Sequence, residues 1–174
     1  MQIPIRLLDI EGDGFHVMIQ GRINGMEANF LVDTGASRSV FDIQTITTYI
    51  QQPKLVKKAS MTAGIASSDF DIYSFIIDNL EIGDILLQSY EAVACDLTEV
   101  HESYQKLGLP LITGIIGGDL LVKLKATINY RLKKIRLTKP RSVRTRSTYN
   151  PLAKVSTDKE TDVPPTDLSK QTCP

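Results

Sequence analysis

Phe30-Leu31-Val32-Asp33-Thr34-Gly35-Ala36-Ser37 is a hydrophobic run that delivers a carboxylate directly into a Thr-Gly turn. A carboxylate taken out of water is costly unless another group pairs with it or hydrogen-bonds it. Gly35 allows the backbone to turn so that its N–H approaches the carboxylate, and Thr34 brings a hydroxyl able to bond across an interface. Farther along stands Ile115-Ile116-Gly117-Gly118-Asp119-Leu120-Leu121. Two β-branched residues followed by glycines suit a strand packed closely under another backbone segment.

Outward from these two pieces, the body reads as short strands. Residues 15–19 have β-rich composition, 21–25 look like a turn, and 26–32 form a second strand. Residues 43–50 are open to two readings: their Ile and Thr content favours a strand, while Asp42 offers a cap for a short helix. Residues 59–61 and 73–77 read as the arms of a hairpin with 63–68 near its tip, and 80–82, 85–87 and 91–94 as further strands. Leu97, Val100, Tyr104 and Leu107, at spacings of three and four, predict a helix over 97–107. Residues 114–118 read as a strand and turn, and Asp119 starts a short helix through Lys123. Residues 126–130 and 135–137 make a last hairpin. Many short strands with few helices indicate a mainly β domain, a small barrel or sandwich.

The two pieces, in this order, resemble the retropepsin-like aspartic peptidases, over residues 15–137. The resemblance implies a small closed β-barrel lobe of the acid-protease type, with a flap hairpin and one or two short helices. It also implies an aspartic endopeptidase in which each chain supplies one catalytic aspartate, Asp33, at the two-fold axis of a homodimer. A water activated between the two Asp33 carboxylates would then hydrolyse peptide bonds in an extended polypeptide substrate. Thr34, Gly35, Ala36, Ile116 and Gly117 would support the site, and Ala63, Gly64, Ile65 and Ala66 would form the flap over the substrate. No cofactor and no metal is implied. Only one Asp-Thr-Gly is present, and the chain is too short for the two-lobed form. Retroviral members usually carry an acidic residue and an arginine where Ser37 and Gly118 stand here. Both are absent together, which points to a different support for the loop. The flap, too, lacks the common Gly-Gly-Ile-Gly-Gly form. The alternative is a non-catalytic dimeric peptide-binding or scaffold module that kept the fold. A serine or cysteine hydrolase lacks both a nucleophile elbow and a well-placed Cys/His pair.

Composition sets the outer bounds. Apolar residues make up 42% of 174, which fits a globular chain. Lys+Arg and Asp+Glu balance at 20 each, so net charge suggests neither a nucleic-acid nor an acidic partner. No apolar run is long enough for a membrane helix, and the N-terminus does not read as a secretory signal. Cys95 and Cys173 have no ligand-like spacing, and with His16 and His101 as the only histidines a zinc site is not expected. A cytoplasmic protein is the expectation. Residues 1–138 hold 13 basic and 16 acidic side chains and read as the peptidase domain. Residues 139–174 hold five of the eight prolines, 7 basic and 4 acidic residues, and few large apolar ones. That composition cannot bury enough surface to offset its ordering entropy, and predicts a disordered basic tail.

Overall fold

The computed structural model of the chain describes residues 1–58 and 71–139. Its elements are β1 Gln2–Pro4, β2 Arg6–Asp9, β3 Phe15–Ile23, β4 Met26–Val32, β5 Val40–Asp42, α1 Ile43–Tyr49, β6 Val56–Lys58, β7 Ile72–Ile82, β8 Ile85–Cys95, α2 Thr98–Lys106, β9 Gly114–Ile116, α3 Gly118–Lys123, β10 Thr127–Asn129 and β11 Lys134–Arg136. The larger sheet runs in the order β2-β3-β4-β9-β5-β8-β7-β6, and β3 also pairs with β7. Strands β3, β4, β9, β5, β8 and β7 therefore close a ring, the mainly β barrel that the sequence predicts. The seam is short: Arg22 pairs with Glu81 and Ile23 with Leu80. A second sheet, β1-β11-β10, lies beside it.

Alternation builds the core. Strand β7 turns Phe75, Ile77, Leu80 and Ile82 inward, and β8 answers with Ile85, Leu87, Ala92 and Ala94. Phe41 stands edge-on to Phe30 at 6.1 Å and to Phe75 at 6.0 Å between ring centroids, the offset geometry aromatic quadrupoles favour. Each fully buried side chain of this size contributes about 1.5–3 kcal/mol.

The structure resolves 43–50 as helix α1. Asp42 Oδ2 accepts from the Thr45 N–H at 2.8 Å, and Ile46 is wholly buried; the cap and that anchor outweigh the β-propensity of the Ile and Thr residues. The helix expected at 97–107 is α2, with Leu97 and Tyr104 packed against Leu8, Met18, Leu31 and Ile112. The one expected from Asp119 to Lys123 is α3, which begins one residue earlier.

Other boundaries move. The turn expected over 21–25 shrinks to Asn24-Gly25, both at positive φ, a two-residue hairpin joint matched to strand twist. Gly21 belongs to β3, where a Cβ would lie 2.4 Å from the Glu81 carbonyl oxygen; the glycine serves barrel closure, not turning. The segments 73–77 and 80–82 fuse into β7, and 85–87 and 91–94 into β8. The ladder carries through the intervening polar residues, with Ile77 opposite Tyr90 and Asn79 opposite Gln88. Strands β1 and β2 were not foreseen. Strand β6 pairs with β7 through wholly exposed residues that show no alternation, while the first hairpin arm expected over 59–61 lies outside the described residues. The expected flap residues Ala63, Gly64, Ile65 and Ala66 lie outside the described residues. No helix among the described residues is long and apolar enough to cross a membrane.

Candidate active site

Strand β9 lies between β4 and β5, parallel to the first and antiparallel to the second. The sequence motifs are thereby laid against each other. Phe30, Leu31 and Val32 pair with Gly114, Ile115 and Ile116. Where β4 ends, the Asp33 N–H donates to the Ile116 carbonyl at 3.0 Å. Beyond it the loop 33–39 and the segment 116–119 are stitched together. The Gly118 N–H donates to Ala36 O at 2.7 Å and the Asp119 N–H to Ser37 O at 3.2 Å.

Side chains complete the stitching. Ser39, 1% exposed, donates its hydroxyl to Asp119 Oδ1 at 2.6 Å and its backbone N–H to the same oxygen at 2.8 Å. The Gly117 N–H donates to Ser39 Oγ at 2.9 Å. The Leu120 N–H adds a third bond to Asp119 Oδ1 at 2.8 Å. Tyr90, from β8, lies close to the same cluster. Burial, then the nearby Asp119 charge, pushes its pKa up to about 12. This is the support that Ser37 and Gly118 do not supply.

On this base the Asp33 side chain stands exposed in the single chain. The Gly35 N–H donates to its Oδ1 at 2.8 Å, the approach expected of the Thr-Gly turn. Thr34 is exposed and its hydroxyl has no partner among the described residues; Ala36 is half-buried. Ile116 is 1% exposed and packs under the loop. Gly117 is needed for close approach, because a Cβ there would lie 2.5 Å from Arg38 O and 2.9 Å from Ala36 O. The structure thus brings together Asp33, Thr34, Gly35, Ala36, Ile116 and Gly117.

Nearby Asp42 shows what a purely structural aspartate looks like in this fold. It is fully buried. Its oxygens accept from the Thr45 N–H and, at 3.1 Å, from the Leu97 N–H. His101 Nε2 donates to Ile112 O at 2.8 Å, with its Nδ1 4.0 Å from Asp42. Asp33, by contrast, is exposed, and its carboxylate accepts from the Gly35 N–H.

Sequence reasoning missed Ser39 and Tyr90, and took Asp119 only as a helix starter. A Ser six residues after the motif's Asp has no distinguishing local pattern. Only the β4-β9-β5 arrangement makes it a neighbour of Asp119.

The Aspartyl protease family model matches residues 19–120. No curated protein sequence gives a significant match. Among solved structures, a retropepsin-like aspartic protease from Rickettsia conorii is 17% identical, with 78% of this chain and 88% of that one covered and a TM-score of 0.48. EIAV protease complexed with an inhibitor is 16% identical, covering 70% and 99%, with a TM-score of 0.49. The retroviral protease-like domain of Ddi1 from Leishmania major is 10% identical, covering 74% and 98%, with a TM-score of 0.44. With both motifs and the intervening strands inside the matched span, the chain belongs to the aspartyl protease family.

Proposed function

We propose that the chain is an aspartic endopeptidase that works as a homodimer, with the Asp33 of each protomer forming the catalytic pair. The observation that carries this reading is the exposure of Asp33 at the end of β4, on a base of inter-loop hydrogen bonds too extensive for a merely solvated residue. One carboxylate cannot serve at once as base and acid. A two-fold partner would bring a second within a few ångströms, where like charge keeps one proton shared between the two, the arrangement general to aspartic proteases.

In this reading one carboxylate takes a proton from a bound water as the oxygen attacks the scissile carbonyl. The other protonates the carbonyl oxygen, and the resulting diol collapses as a proton passes to the leaving amine. No covalent intermediate forms. Thr34, with its unengaged hydroxyl, is the candidate inter-protomer grip. Ala63, Gly64, Ile65 and Ala66 are proposed to cover an extended substrate, which bonds through its backbone as an added strand does. Residues 139–174 are proposed to be a tail dispensable for this chemistry.

The test is cleavage of a mixed peptide library, read by mass spectrometry, with wild type and Asp33→Asn. Wild type should cut and the variant should not. Peptide binding without cleavage by either would instead identify a non-catalytic module.

A further inference from the structure

The balanced total charge, which gave no reason to expect a charged partner, conceals a strong polarity. Residues 1–119 carry 7 basic and 16 acidic side chains, whereas residues 120–139 carry 7 basic and none acidic. The sheet β1-β11-β10 displays part of that basic stretch. In its register Ile3, Ile135 and Ile128 align on the core side. The opposite face is exposed, with Gln2, Arg136 and Thr127 in one row and Pro4, Lys134 and Asn129 in the next.

A hollow of about 170 Å³ opens on this face, lined by Gln2, Thr127, Asn129, Leu132, Lys134 and Arg136. No acidic residue lines it, and among the described residues neither Lys134 nor Arg136 has an ion-pair partner. The Asn129 side-chain oxygen is already taken by the Leu132 N–H at 2.8 Å, which leaves its amide NH2 free to donate. The hollow therefore offers two cations and three neutral hydrogen-bonding side chains.

We infer that this face docks an acidic stretch of extended polypeptide, away from the catalytic aspartates. Lys134 and Arg136 stand two apart on one strand, and acidic side chains two apart on an extended chain have the same spacing, roughly 7 Å. Arg136 can take one carboxylate in a two-pronged bond and Lys134 the next as a point charge. The acidic remainder of the molecule repels such a stretch from other faces and steers it here. A nucleic-acid strand fits less well, because the hollow has no aromatic ring on which a base could stack. That the docked stretch belongs to a substrate rests on the peptidase reading; that the face binds acidic polypeptide does not.

The experiment uses the full chain carrying Asp33→Asn, so that binding is read without hydrolysis. A short fluorescent peptide of alternating Glu and Thr should bind, and its Gln counterpart should not. Lys134→Gln with Arg136→Gln should weaken binding about tenfold, and added salt should act in the same direction. In the Asp33 enzyme the same pair of changes should raise KM for a substrate bearing an acidic flank and leave a short neutral peptide unaffected. Equal binding of the Glu and Gln peptides, or unchanged affinity in the double variant, overturns the proposal. Tighter binding of an RNA oligonucleotide or of phosphatidylserine vesicles through the same two residues overturns it as well.

Discussion

Ser39 Oγ joins the two halves of the site: it donates to Asp119 Oδ1 at 2.6 Å and accepts from the Gly117 N–H at 2.9 Å, across about eighty residues of sequence. Ser39→Ala leaves the buried Gly117 N–H without its acceptor, at a cost of about 1–3 kcal/mol, besides the lost bond to Asp119. Urea denaturation should show a loss of that size, with kcat/KM falling further because the loop carrying Asp33 is no longer fixed. Asp119→Asn keeps an acceptor oxygen, so it should cost less than Asp119→Ala. Equal losses in those two variants would count against the assigned role of Oδ1.

Gly117 and Gly118 form a matched pair. A Cβ at Gly117 would meet backbone atoms of Arg38 at 2.5 and 2.6 Å, whereas one at Gly118 has 3.4 Å to its nearest neighbour. Overpacking against backbone costs about 1–3 kcal/mol. Gly117→Ala should lower the thermal transition and abolish most activity; Gly118→Ala should change the transition little. Thermal melts of both proteins, with one peptide assay, decide the matter.

The contrast between those adjacent glycines shows how far the sequence could be read. Asp33-Thr34-Gly35 and Ile116-Gly117 announce themselves because a strand ending in an acid, and glycines following β-branched residues, are local patterns. The strand Met26–Val32, following a turn signal, and the helix at Thr98–Lys106, from its apolar spacing of three and four, were legible locally too. Ser39, Tyr90 and the β3–β7 seam were not. Their roles arise from the insertion of β9 between β4 and β5 and from barrel closure, neither of which leaves a mark on neighbouring residues. The short strands β1, β2 and β6 carry too few residues for alternation to show.

Cys95 is partly buried, and its thiol is pushed up to about 11 by burial first, then by the charges of Asp42 and Asp96. The thiolate is the reactive form. In a Cys173→Ser background, folded protein at mildly alkaline pH should therefore react with iodoacetamide far more slowly than unfolded protein. The sign for stability follows from a folded pKa above the unfolded value of 9.0: the contribution is complete below that value and is lost as pH rises through about 11. Cys95→Ala should flatten the fall in stability over that alkaline window. Urea midpoints measured across it would refute the assignment if both proteins gave the same slope.

Subunit mixing can show whether two copies of Asp33 make one site. Asp33 is exposed, and its carboxylate accepts from the Gly35 N–H; in the proposed reading its catalytic partner is the Asp33 of a second copy. If each working site needs both carboxylates, a dimer with one Asp33→Asn subunit is nearly inactive, since the surviving carboxylate cannot act as base and acid in the same turnover. Wild type and variant should be mixed at fixed total concentration and allowed to exchange. Activity should then fall as the square of the wild-type fraction, the statistical weight of wild-type pairs. An active monomer would give a straight line. Sedimentation of the same mixtures keeps the result interpretable by showing that the variant still pairs. On dilution, specific activity of wild type should drop in step with the dimer fraction. A linear mixing curve from a protein shown to be dimeric would mean that each protomer carries a complete site, and would remove Asp33 pairing from the mechanism.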